Sequence, residues 1–333
     1  MDGPALALLR DYDGPVPGAA LLVVRDGRDL VRRGLGLADL DACEPVTPAT
    51  NFRLASLTKQ FTAAAVLLLA EDGRLRLDDP ARRWLPSLPP AAAGIRIRHL
   101  LSHTSGLVDY EDLMAPGATA QLADADVLAL LEGEPRLLFP PGSAWRYSNG
   151  GYALLALVVE RAAGRPFADF LRERIFRPLG MAGTLAYRAG LDTVPRRAFG
   201  HGGEPGAWRR DDQGPTTAVL GDGGVYSSID DLRQWDAALY DARLLSGESR
   251  RLAFAPATRS DDPAVQYGFG WRITGDCLWH SGETVGFRNV ILRFPGRRLT
   301  VVLLTNRDAP EPYPTALAIA RLYASGKLDK STG

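Results

Sequence analysis

Lysine is nearly missing from this chain. Of 39 basic residues only three are lysine: Lys59, Lys327 and Lys330. The last two sit in a polar C-terminal stretch, so Lys59 is the only lysine in the body of a 333-residue protein. Net charge is missing too, because 39 acidic residues cancel the 39 basic ones. Without a basic surplus nothing points to nucleic acid or an anionic membrane as a partner. Two cysteines, Cys43 and Cys277, are too few and too far apart for a disulfide framework or a zinc site. The four histidines, His99, His103, His201 and His280, form no HExxH pair, so neither metal nor cofactor is expected. The longest apolar run, Ala63 to Ala70, falls far short of the ~20 residues that span a bilayer. No basic segment followed by an apolar one opens the chain. The protein is expected to be cytoplasmic as read, or periplasmic or secreted if a signal has been removed. The oligomeric state is left open.

What is present is ordinary for a globular protein: 46% hydrophobic and 23% charged residues. Gly18 to Asp26 and Arg28 to Leu35 read as a hairpin turned by Asp26-Gly27. Helical patterns follow over Arg53 to Asp72, Arg96 to Ser102, Tyr152 to Ala163 and Phe167 to Phe176, several closed by Gly or Pro. Arg188 to Gly224 reads as long loops, and loops of that length are often functional. Ser228 is placed as an N-cap with Asp231 at the capping-box position, for a helix through Tyr240. Strands return at Gly268 to Ile273, Leu278 to His280, Phe287 to Phe294 and Leu299 to Thr305, before a last helix over Tyr313 to Tyr323. Strands at both ends with helices between them predict an α+β fold. An antiparallel sheet flanked by helices would be built from residues 1–72 and 215–333, with a mainly helical domain inserted over 73–214. A cleft between the two is the expected ligand site.

Three constellations carry chemistry. Ser56 and Lys59 are three residues apart at a helix start, on one face, beside free N–H groups and the positive dipole end. A serine hydroxyl needs a neighbour to take its proton. A lysine amine can do this and an arginine cannot, which gives the lone lysine its meaning. Tyr147 and Asn149 follow a Pro-Pro-Gly loop, and a tyrosine near a lysine can share its proton. His280, Gly282 and Glu283 lie on a late strand. Small residues there would admit a substrate backbone, and an edge N–H could join that of Ser56 in an oxyanion hole. His280 would add a polar or cationic group beside the site.

Taken together, S-x-x-K, Y-x-N and H-x-G in this order resemble the serine β-lactamase and penicillin-binding-protein superfamily, whose sister form carries S-x-x-K, S-D-N and K-T-G. The tyrosine brings the chain closest to the class C β-lactamase-related branch, which includes esterases, D-aminopeptidases and D-alanyl-D-alanine carboxypeptidases. The segments Phe52 to Thr62, Leu100 to Leu107 and Tyr147 to Tyr152 are similar to family segments. The resemblance implies Ser56 as the acylated nucleophile, with Lys59 and Tyr147 moving the proton and either of them as base. It implies Asn149 as a contact to the substrate amide or to Lys59, and the N–H groups of Ser56 and Glu283 as the oxyanion hole. His280 stands where true class C β-lactamases usually have lysine, which helps bind a substrate carboxylate. This weakens a β-lactamase reading, as would Glu283 if its side chain faced the cleft. His103, in Leu-Ser-His-Thr-Ser-Gly-Leu, is expected to be structural. The expected substrate is a small ester, amide or peptide, and Tyr110, Trp145, Tyr187, Trp208, Tyr226 and Trp279 suggest an apolar pocket. A serine esterase is therefore the first reading. A D-amino-acid peptidase or carboxypeptidase, or a weak β-lactamase, comes second, and a non-catalytic scaffold of the same fold third.

Overall fold

The computed structural model describes residues 3–324; Lys327 and Lys330 lie outside them. The α+β expectation holds. The main sheet has eight strands: β1 (Ala19–Arg25), β2 (Arg28–Leu35), β3 (Thr258–Arg259), β4 (Gln266–Tyr267), β5 (Arg272–Thr274), β6 (Cys277–Thr284), β7 (Phe287–Phe294) and β8 (Leu299–Thr305). They run antiparallel in the spatial order β3-β4-β5-β6-β7-β8-β1-β2. Asp26 and Gly27 both have positive φ, 52° and 74°. That is the geometry a two-residue hairpin turn needs, and it explains why Asp-Gly sits there.

The three central strands are apolar on both faces because both are covered. Ala20, Leu22, Ile291 and Val302 join one core, which they share with the long helices. Their strand neighbours Leu21, Val290 and Val301 join a second core under the last helix, α4 (Tyr313–Ala324). The first core surrounds α1 (Lys59–Glu71), α2 (Asn149–Ala163) and α3 (Ile229–Ala238). Helix α1 is buried from Lys59 to Leu69, as its apolar sequence on every side requires. No described helix is long and apolar enough to cross a membrane.

Several details differ from the sequence reading. The first long helix does not begin at Arg53. That residue pairs with Tyr226 in a small sheet, and a 3₁₀ turn over Ala55–Thr58 precedes α1. Ala55 has φ 51°, a left-handed conformation that no helix interior tolerates. Ser228 does cap α3, accepting from the Asp231 N–H, but the Asp231 carboxylate does not reach back. It accepts instead from the Gly183 N–H and the Thr184 hydroxyl. The loop region 188–224 contains a two-residue strand pair at His201 and Arg209, and a helical turn, Leu220–Gly223, that enters the site below.

One buried ion pair fastens α3 to the sheet. Arg293 donates to Asp236 at 2.6 Å, and Thr300 donates to the same carboxylate oxygen at 2.8 Å. Both charged side chains are at least 95% buried. Removing one partner of such a pair leaves a naked buried charge. Asp236→Ala is therefore expected to lower stability by about 3–5 kcal/mol, read as a fall in the urea midpoint. The double variant Asp236→Leu, Arg293→Met should lose less than the single one.

Candidate active site

Ser56 sits on the 3₁₀ turn between the small sheet and α1, and Lys59 is the first residue of α1. Lys59 has no exposed surface, so its ammonium must find all its partners within the protein. It has three: Ser56 Oγ at 3.0 Å, Asn149 Oδ1 at 2.8 Å and the Asp222 carbonyl at 2.9 Å. An amide oxygen and a carbonyl can only accept. They therefore hold two of the amine's hydrogens in place. If the amine gives up its third proton, the lone pair can face only the Ser56 hydroxyl, which is the one partner able to donate.

Each anchor is itself anchored. Asn149 opens α2, and its Nδ2 donates to Glu111 at 3.0 Å, which fixes Oδ1 towards Lys59. Its backbone N–H donates to Asp109 at 2.7 Å. The turn 220–223 hangs on Asp124, whose two carboxylate oxygens accept from the N–H groups of Leu220 and Gly221, both at 3.0 Å. The Gly221 carbonyl accepts from the Thr62 hydroxyl at 2.7 Å, tying that turn to α1. Burial raises the carboxyls of Asp109 and Glu111, and pushes that of Asp222 well above the usual carboxylate range. The charge of Lys59 works against the shift in all three.

Tyr147 lies with its ring centroid 4.9 Å from Lys59 Nζ, and its hydroxyl is buried without a partner. His103 packs on its ring at 4.4 Å. His103 Nδ1 accepts the Ser148 N–H at 3.1 Å, so this buried histidine supports the Tyr147 loop.

The late strand is close by. A Cβ on Gly282 would lie 2.1 Å from the Leu54 carbonyl, so its missing side chain serves the Leu54–Ser56 turn rather than a substrate backbone. Asn289 on β7 donates to the Arg53 carbonyl at 2.8 Å and pins the same turn. Thr284 and Phe287 flank a two-residue loop, which makes them a hydrogen-bonded pair. Glu283 and Arg288 are then the non-bonded pair, and the Glu283 N–H points away from β7. Glu283 and Ser56 line one cleft. Strand alternation puts the Glu283 side chain on the half-exposed face, 3.3 Å from the Ser281 hydroxyl and beside Glu311. It does not confront an anionic substrate.

His280 corrects the sequence reading. Its ring is 1% exposed. Nδ1 donates to the Ser281 carbonyl at 2.6 Å, and Nε2 accepts the Tyr267 hydroxyl at 3.0 Å. Burial, then the nearby Arg272 and Lys59, hold it well below the usual histidine range. It is neutral and enclosed, not a cationic contact for substrate. The aromatic pocket is a second correction. The cleft of about 330 Å³, including space open to solvent, is lined mainly by polar groups, among them Arg53, Glu111, Asn149, Thr216 and Asp222. Tyr110 and Tyr226 are fully buried in the interior, and Trp279 packs on Tyr313 at 4.4 Å. Glu111, Asp124 and Asp222 were missed in the sequence. The acidic run Asp109 to Asp112, directly after the His103 segment, and an aspartate within Gly221 to Gly224 were the available signals.

Residues 7–325 match a family model described as Beta-lactamase. The chain is 34% identical over 316 residues to penicillin-binding protein 4* of Bacillus subtilis, covering 89% of this chain and 70% of that one. It is 42% identical over 181 residues to esterase EstB of Burkholderia gladioli, covering 49% of this chain and 45% of that one. The structure of D-amino acid amidase from Ochrobactrum anthropi with L-phenylalanine amide superposes with a TM-score of 0.83 at 27% identity, covering 97% of each chain.

Two outcomes follow from this geometry. Burial pushes Asp124 up to about 7, so between its unfolded value of about 4 and pH 7 the folded state binds more protons than the unfolded one. This group's contribution to stability is fully present below about pH 4 and is lost as the pH rises through 7. In Asp124→Asn, the fall in urea midpoint from pH 4 to pH 7 should be shallower than in the parent. Gly282→Ala should push the Leu54–Ser56 turn out of place and lower kcat by about tenfold to a hundredfold. Wild-type kcat in that variant would show that the contact is slack.

Proposed function

Since this chain belongs to the beta-lactamase family, we propose that it is a serine hydrolase that cleaves small esters or amides through an acyl-enzyme on Ser56. The contact between Ser56 Oγ and a fully buried Lys59, at 3.0 Å, carries the reading. Ser56 Oγ attacks the carbonyl carbon, and its proton passes to the Lys59 amine. The N–H groups of Ser56 and Glu283 stabilise the oxyanion. As the tetrahedral centre collapses, the leaving group departs with a proton relayed from Lys59 through Tyr147. Water then repeats the sequence on the acyl-enzyme and releases the acid. Asn149 keeps the amine aimed, while Gly282 lets the late strand approach.

Esterase action on compact acyl groups is the first reading, and the likeness to an esterase across 49% of the chain supports it. A second reading has an observation of its own. Glu111 lines the cleft, with Asp109 close behind Asn149. That lining suits an acyl group bearing an ammonium, such as a D-amino acid amide or peptide. The likeness to a D-amino acid amidase supports it.

Exposure to a fluorophosphonate followed by intact-protein mass spectrometry should show one adduct, located on Ser56. Ser56→Ala should lose turnover of p-nitrophenyl acetate by roughly three to six orders of magnitude, and Lys59→Arg nearly as much, because the charge stays but the base is gone. An unlabelled Ser56 together with no turnover of any ester or amide would leave only the scaffold reading. A panel of p-nitrophenyl esters, D-alanyl p-nitroanilide and nitrocefin separates the substrate classes.

A further inference from the structure

Arg53 sits just before the turn that carries Ser56 and is 1% exposed. Its guanidinium must therefore find acceptors inside the protein, and the 213–217 loop supplies them. Nη1 donates to the Thr217 carbonyl at 2.7 Å and Nη2 to Gln213 Oε1 at 3.2 Å, with the guanidinium carbon 4.8 Å from the ring centroid of Tyr226. Gln121 meets the same loop. The two hydrogens of its Nε2 go to Gln213 Oε1 at 3.0 Å and to the Thr217 hydroxyl at 2.8 Å. Beside it the Leu122 N–H donates to the Pro215 carbonyl at 2.8 Å. Residues 112–121 thus lead from Glu111, which orients Asn149, to Gln121, which grips Thr217. Both ends of the segment are tied to walls of one cleft, because Glu111, Asn149, Thr216 and Thr217 all line it.

We propose that Gln121 is a specificity-determining residue: it latches residues 112–121 to the 213–217 loop, closes the acyl end of the cleft and so confines turnover to short acyl groups. This rests on the serine hydrolase reading and names a substrate class for it. The proton path assigns the side. The leaving group departs past Tyr147, which is not among the residues lining this cleft. The acyl group then fills the space on the side of Arg53 and Thr216. That space is small, about 330 Å³ with volume open to solvent included, at the lower end of the ~300–1,000 Å³ usual for small-molecule pockets. Its lining is polar, so a long alkyl chain gains little apolar burial there. It would also press on Thr216 and the loop behind it. That loop resists from within, since moving Gln213 and Thr217 strips a buried cation of two acceptors. From outside it is braced by one amide, and Gln121 is the exposed member of the set. Gln121 itself lines neither the cleft nor the space around Lys59. Its loss therefore frees the segment 112–121 from the loop and leaves Ser56 and Lys59 in place.

An acyl-length series tests this, with p-nitrophenyl acetate, butyrate and octanoate as substrates. In the wild type kcat/KM should fall by about tenfold or more from butyrate to octanoate. Gln121→Ala should shrink that ratio by about tenfold, through a gain on octanoate, with acetate changed less than about threefold. Gln121→Lys keeps a donor in reach of Gln213 and Thr217 and should hold the ratio near the wild-type value. If Gln121→Ala does not fold, Thr216→Ala reads the same end of the cleft and should move the ratio the same way. For an enzyme that prefers amides, D-alanyl and D-phenylalanyl p-nitroanilide replace the short and long esters. A wild type that shows no preference for the short acyl group overturns the proposal, as does a ratio unchanged in the alanine variant. Equal losses on short and long substrates also overturn it, since they mean that Gln121 only supports the fold. Failure of the hydrolase reading looks different: Ser56 takes no fluorophosphonate, and no ester or amide of either length is hydrolysed.

Discussion

A lysine amine with no solvent contact is the constraint from which the rest of the site follows. Burying it costs several kcal/mol unless every N–H finds an acceptor. Three separate elements meet that demand for Lys59: the 3₁₀ turn through Ser56, the start of α2 through Asn149 and the 220–223 turn through the Asp222 carbonyl. Each needs support of its own. Glu111 orients the Asn149 amide, and Asp124 holds the 220–223 turn by two N–H groups. The buried acids are in turn tolerable because Lys59 is near: its charge opposes the upward shift that burial imposes on Asp109, Glu111 and Asp222. The polar lining of the cleft is thus the same set of groups that makes a buried amine possible. An apolar wall around Lys59 would leave it unsatisfied.

This explains what could be read from the amino-acid order and what could not. The hairpin at Asp26-Gly27 was legible because a positive φ at both turn residues is a local demand with a local signature. Strands β7 and β8 were legible because both faces are covered, which leaves continuous apolar runs. The Ser56–Lys59 spacing was legible, but the shape that delivers it was not. Ala55 takes a left-handed φ because strand β6 and Asn289 hold the turn from outside, and alanine by itself announces nothing of the kind. His280 failed for a related reason. Its residue type suggests a titrating group, whereas its charge is set first by burial and then by Arg272 on the adjacent strand and by Lys59. The aromatic residues failed because tyrosine reads alike in a core and in a pocket, and Tyr110 and Tyr226 went to the interior.

The turn carrying Ser56 is fixed by close approach more than by its own sequence. Leu54 meets Gly282 so tightly that only a hydrogen fits between them, and the Arg53 carbonyl is held by Asn289. The two-residue loop at the end of β6 decides which N–H groups of that strand stay free. A register shift of one residue would turn the Glu283 N–H into the sheet and bring a larger side chain against Leu54. The pairing of β6 with β7 is therefore as much a part of the site's geometry as the helix that carries Lys59.

The scarcity of lysine can now be given a physical reason. The space around residue 59 has three acceptors arranged about one nitrogen. A planar guanidinium with five donors in a fixed fork would overfill that arrangement, and it could not give up a proton to anything. Elsewhere the chain needs cations that stay charged and make flat contacts: Arg293 over Tyr240 and against Asp236, Arg307 over Tyr12, Arg272 between Tyr147 and Trp279. Arginine meets those needs better because its plane stacks on a ring while its edge remains free to bond. The two kinds of basic residue are thus divided by shape: a compact ammonium where three acceptors converge on one point, and a flat fork where the cation must stack on a ring.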